Sequence, residues 1–161
     1  EIMPSLVGSE MCIRDRNLMK PGVACTFSLW SFIPDKRHSR LGLWLYECLR
    51  DLHLSIQAIK RPELCVRGMT FGFNTELGRL FGFRTDIRRG EDGSLALAMK
   101  PYGRLIFITS RKARALTSNS TIDADGSLAR SFGVRLLKAL KGATGLLYKK
   151  TTYKDKDSNL L

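Results

Sequence analysis

The sequence predicts one α+β domain: an antiparallel sheet of four to five strands with an N-terminal amphipathic helix and a C-terminal basic helix. Three observations carry this. Apolar residues recur at helical spacing in two stretches, Leu41 to Leu52 and Leu128 to Leu140. Four short runs between them have strand-like spacing, and turn residues separate those runs at regular intervals, as in a meander. A chain of 161 residues, 43% of them apolar, suits one domain with a buried core.

The opening EIMPSLVGSEMCIRDR fits neither period: Leu6, Val7, Met11, Cys12 and Ile13 align on no helical face and no strand face. Leu6 to Asp15 is, however, the translation of CTC GTG GGC TCG GAG ATG TGT ATA AGA GAC, ten codons without a mismatch. On these codons residues 1–16 resemble the translated transposon-end adapter of tagmented sequencing libraries. Glu1 to Ser5 fit its flow-cell end and index, and Arg16 takes its last base from the insert. The resemblance implies that residues 1–16 are not native, that neither Met3 nor Met11 is an initiator, and that the native start is missing. Such a scar is set aside from fold reasoning. It leaves a single domain over residues 17–148, truncated at its N-terminus, and a polar tail over 149–161.

Asn17 to Ile33 is apolar and aromatic, and Phe27, Leu29, Trp30 and Phe32 suggest a strand. With its start cut away, this stretch is expected to sit without partners. Asp35 or Ser39 is a candidate N-cap for the helix that follows. In that helix Leu41, Trp44, Leu45, Cys48, Leu49 and Leu52 form the apolar face, with Arg40, Glu47, Arg50 and Asp51 opposite. After Leu52 two continuations fit, a strand from Leu54 or more helix to Lys60; Pro62 ends either.

The four runs are LCVRGMTFGF, RLFGFRTDI, SLALAM and GRLIFITS, separated by Asn74-Thr75-Glu76, by RRGEDG with its Asp92-Gly93 pair, and by Lys100-Pro101-Tyr102-Gly103. Gly72 and Gly82 read as bulges or close backbone contacts within strands. The stretch SRKARALTSNSTIDADGS is the longest expected loop, with a short helical turn at Ala113 to Leu116. Leu128, Phe132, Leu136 and Leu140 then recur every four residues, with Ser127 as N-cap and Gly142 as stop.

The formal net charge is +12. Setting residues 1–16 aside removes Arg14 and Arg16 against Glu1, Glu10 and Asp15, leaving 25 basic and 12 acidic residues, or +13 over 145. An excess of this size favours polyanionic partners, either nucleic acid or an anionic membrane surface. Arg111, Lys112 and Arg114 in the loop and Arg130, Lys138 and Lys141 on the last helix are the candidate phosphate contacts. At about 100° per residue the three on the helix fall in a sector roughly 80° wide. Such contacts displace counterions and make binding salt-dependent. Aromatic stacking, the other half of a single-strand platform, is not offered by this reading: Phe81 and Phe83 face inward.

Several chemistries lack their signature. Asp123-Ala124-Asp125-Gly126 resembles the middle of a calcium loop, but Thr121 and Phe132 then occupy its two end ligand positions, so it reads as a turn into a helix. His38 and His53 have neither metal spacing nor a nucleophile in register. No phosphate-binding glycine loop, zinc-protease helix or nucleophile elbow occurs, so no catalytic residue, metal or cofactor is assigned. Outside the adapter the cysteines are Cys25, Cys48 and Cys65, without a C-x-x-C; reduced thiols and a cytoplasmic setting follow. No apolar run reaches membrane-spanning length.

The leading expectation is a non-catalytic nucleic-acid-binding module. A lipid- or anionic-membrane-binding domain, with a pocket lined by Phe71, Phe73, Phe81 and Phe83, is the alternative. A third reading is the C-terminal piece of a larger enzyme, marked by a bare sheet edge at the cut end. The pattern selects no oligomeric state.

Overall fold

The computed structural model describes residues 9–87, 90–124 and 129–133. The helices are α1 (Ser9–Leu18), α2 (Arg40–Lys60), α3 (Thr75–Phe81), α4 (Glu91–Met99) and α5 (Ser120–Ala124), and residues 129–133 are also helical. The strands are β1 (Val23–Ser28), β2 (Trp30–Phe32), β3 (Phe71–Phe73), β4 (Arg104–Ile108) and β5 (Ala115–Thr117). Short 3-10 turns lie at Pro62–Cys65, Gly68–Thr70, Lys100–Tyr102 and Arg111–Ala113.

Helix and strand are mixed, as the sequence suggests, but the sheet is not an antiparallel meander of four to five strands. One sheet has three strands in the order β3-β1-β4, with β1 antiparallel to β3 and parallel to β4. The other pairs β2 with β5 in parallel. Parallel neighbours need a long crossover, and α2, α3 and α4 lie between β1 and β4 in the chain.

Two of the four runs are not strands, for local reasons: SLALAM lies within α4, and RLFGFRTDI supplies the end of α3 over 79–81 and then irregular chain over 82–87. In EDGSLALAM, Leu95, Ala96 and Met99 are buried together at helical spacing, Glu91 and Asp92 occupy the first turn, and Pro101 follows the end. The Asp92-Gly93 pair is that first turn. Asn74, read as part of a turn, caps α3: its Oδ1 accepts from the Glu76 and Leu77 amides at 2.9 and 3.2 Å. Gly82, read as a bulge, ends the same helix at φ 64°, its amide donating to the Gly78 carbonyl at 2.9 Å.

α2 runs unbroken from its cap at Ser39, whose Oγ accepts from the Gly42 amide at 2.9 Å, to Lys60, ahead of Pro62. Its period is as expected and its orientation is reversed. Leu43, Tyr46 and Leu54 are the buried residues of the helix, and Glu47, Arg50 and Asp51 lie on the same inner side.

The main core gathers Ala24, Cys25, Phe27 and Leu29 with Leu54, Cys65, Val66, Leu95, Ala96 and Met99. Residues 23–29, expected to lack partners, are thus its centre, and β1 is an inner strand with no bare edge. Gly103 is required there, because a Cβ at that position would stand 2.8 Å from the Ala24 backbone nitrogen. A second cluster joins Phe32, Leu43, Tyr46 and Ile122, with Phe132 against it. α1, on which sequence periodicity placed no element, packs on β1, and Thr26 Oγ1 donates to the Arg14 carbonyl at 3.4 Å.

Candidate nucleic-acid interface

After β4 the chain tightens into the Arg111–Ala113 turn. Ala113 is buried, and its carbonyl accepts from Ser28 Oγ at 2.5 Å while its amide donates to the Ser110 carbonyl at 3.1 Å. α1 packs against the same turn. With the third residue pinned inward, Arg111 and Lys112 stand at the surface. Among the described residues neither side chain is held in a hydrogen bond or ion pair. Two cations on a fixed base suit phosphate contacts, which set register without reading sequence.

Arg114, grouped with them in the sequence, points the other way. Its Nη2 lies 2.6 Å from Asp51 Oδ2, and its Nη1 lies 3.8 Å from Glu47 Oε2 and 3.5 Å from Ser31 Oγ. Arg50 shares the cluster: its Nε and Nη2 donate to Asp51 Oδ1 at 3.0 and 2.7 Å, and Nη2 also donates to the Trp30 carbonyl at 2.5 Å. The Arg50 guanidinium stacks 4.4 Å from the Trp30 ring centroid. Glu47 Oε1 accepts from the Phe32 amide at 2.7 Å. These four charged side chains are only 9–16% exposed, so they act as an internal clamp between α2 and the β2-β5 pair. Sequence reasoning missed this clamp, because Glu47, Arg50 and Asp51 look like a solvated helix face and their partners lie far along the chain.

Two carboxylates of α2, Glu47 and Asp51, are thereby drawn inward. Glu63 is buried with Lys100 Nζ 3.0 Å away, whereas Asp35, Glu76, Asp86 and Asp123 are exposed, Asp86 beside Arg84. Lys36, Arg37, Arg40, Lys60, Arg79, Arg111 and Lys112 are exposed. Arg130 is exposed on the helical residues 129–133. Lys138 and Lys141 lie outside the described residues.

His38 is held between Asp35, whose Oδ1 is 3.0 Å from Nδ1, and Asp123, whose Oδ1 is 3.7 Å from Nε2. Asp123 belongs to α5 rather than to a turn. Asn119 donates to Asp35 Oδ2 at 2.8 Å and to the Ile33 carbonyl at 2.9 Å. That amide, with the His38 ring and the His38 and Arg37 backbone amides, holds the Asp35 carboxyl at about 2, against the opposing effect of burial. Among the described residues no group of three or more His, Cys, Asp or Glu is arranged to hold a metal. Burial pushes the Cys25 and Cys65 thiols up to about 12.

The phenylalanines named for a lipid pocket pack on one another. Phe71 and Phe73 have centroids 5.0 Å apart, Phe83 meets Phe73 edge-on at 5.9 Å, and Phe81 lies 5.2 Å from Tyr102; Phe83, expected to face inward, is exposed, because it follows the end of α3 at Gly82 rather than lying on a strand. The Phe73 ring also fills the space beside Gly78, where a Cβ would meet it at 2.3 Å. No described helix is long and apolar enough to cross a membrane. The chain matches no protein-family model, no curated protein and no solved structure.

Proposed function

We propose that the chain is a non-catalytic module that binds the phosphate backbone of nucleic acid, with Arg111 and Lys112 as its central contacts and Arg130, Lys138 and Lys141 extending the surface. The observation that carries this reading is the Arg111–Ala113 turn: two exposed cations on a pinned base, in a chain of net charge +12 whose Glu47 and Asp51 carboxylates are turned inward. Arg114 takes a structural part, since its guanidinium is spent on Asp51. Of the four phenylalanines Phe71, Phe73, Phe81 and Phe83 only Phe83 is exposed, and a single ring is no stacking platform, so recognition rests on charge. Titrating duplex and single-stranded RNA and DNA across a salt series tests the proposal. Affinity is expected to fall steeply as salt rises; a flat dependence, or no binding near physiological salt, overturns it.

The same reading leaves residues 1–16 outside the functional chain, on the strength of the ten-codon match to the transposon end. Sequencing the source DNA across codon sixteen without tagmentation tests this. An uninterrupted natural reading frame through those codons overturns it.

A further inference from the structure

The outward side of α2 is apolar. Leu45, Leu49, Leu52, Ile56 and Ile59 follow one another at alternating intervals of four and three residues, and Leu41 and Trp44 extend the same face; all seven are 39–80% exposed. At about 100° per residue they occupy a sector roughly 140° wide, opposite the inner side that carries Leu43, Arg50 and Leu54. We infer that α2 forms a two-fold interface in which this face packs against the same face of a second copy of the chain.

Four features select that occupant. The four-three spacing is the knob pattern of paired helices, whose complement is another seam of the same pattern, and a second copy presents one by symmetry. Taking on the order of 150–200 Å² for a large apolar side chain, the exposed portions amount to roughly 700 Å² per copy. Two copies would bury about 1,400 Å², within the range of specific interfaces and more than the apolar patch a monomer usually tolerates. Glu47, Arg50 and Asp51 are turned into the clamp, so no charge from them enters the seam, and the exposed cations of α2, Arg40 and Lys60, stand at its two ends rather than along the length of the seam as the fringe of a membrane-binding helix does. Finally, the helical residues 129–133 engage the other side of α2: the Phe132 ring lies 6.4 Å from that of Tyr46, an inward residue.

Light scattering coupled to size exclusion on the full chain tests the inference. At about 100 μM and moderate salt, the wild type is expected at twice the 18.1 kDa of one chain, falling towards one chain on dilution. Leu52→Glu is expected to raise the dissociation constant at least about tenfold, in line with loss of a central interface anchor, with an unchanged helical circular dichroism spectrum. Leu116→Glu, at an exposed apolar residue on β5 and outside the seam, is expected to leave the mass unchanged. If Leu52→Glu fails to fold, Ile59→Glu in the last turn is read the same way. A one-chain mass for the wild type overturns the inference, whether the face is then covered by residues 134–161 of the same chain or by added lipid vesicles. A two-chain mass that neither glutamate alters overturns it as well.

Discussion

Arg114, immediately before β5, and Asp51 on α2 meet at 2.6 Å, and Asp51 also receives Arg50 from its own helix. One carboxylate therefore compensates two guanidiniums in a largely dry space. Removing it takes the carboxylate from Arg50 and leaves Arg114 only the longer contact with Glu47 at 3.8 Å, whereas removing either cation leaves the other in place.

Asp51→Ala is accordingly expected to destabilise the fold by about 3 kcal/mol, the range for breaking a buried pair from one side. Urea unfolding followed by circular dichroism measures it. A loss below about 1 kcal/mol would class the cluster with ordinary surface pairs.

The surface turn behaves differently. Replacing Arg111 and Lys112 together by alanine is expected to leave unfolding unchanged, since neither side chain has an internal partner. The slope of log affinity against log salt is expected to drop by about 1–2, and binding to weaken evenly across sequences. Arg114→Ala is the contrast: unfolding shifts to lower urea.

Asp35 makes stability depend on pH at the acid end. Its folded value of about 2 lies below the ordinary 3.8, so its contribution is fully present above about pH 4 and is lost as pH falls through about 2. Carboxyl titration by NMR checks the value directly. Asn119→Ala, which removes the largest cause, is expected to return Asp35 towards 3.8; an unmoved titration would assign the shift to His38 and the backbone amides instead.

Thiol reactivity sorts by depth. Cys25 and Cys65 are buried with thiols near 12, and Cys65 Sγ donates to the Leu54 carbonyl at 3.4 Å. Both are expected to resist alkylation at pH 8 in the folded chain while Cys12, exposed on α1, reacts. Peptide mass spectrometry reads this out, and labelling of Cys25 at the rate of Cys12 would show that the core opens.

What the sequence discloses here follows the range of each signal. The first part of α2 is legible from Ser39 and the apolar period up to Leu52, both local; its continuation to Lys60 is not, because Leu54 to Ala58 also fits a strand and Pro62 ends either. Nor is the orientation of α2: periodicity shows that a helix has two faces, and only the distant Trp30 and Arg114 reveal that the charged one is inside. Leu95 to Met99 alternates for too few residues to separate strand from helix, and the deciding features are the acids at its start and Pro101 after it. The exposure of Arg111 and Lys112 could be read from composition. The diversion of Arg114 could not, because its carboxylate partners come from another element.

The placement of β1 bears on how the chain comes off the ribosome. This strand is made before both of its neighbours, Phe71–Phe73 and, in parallel, Arg104–Ile108. Until Ile108 has been synthesised, Cys25 and Phe27 sit on a nascent segment with one side open to any other extended polypeptide. Pairing across such a long loop is slow to close. Translation speed through the α2 to α4 region and chaperone supply are therefore expected to govern yield more than the final stability does.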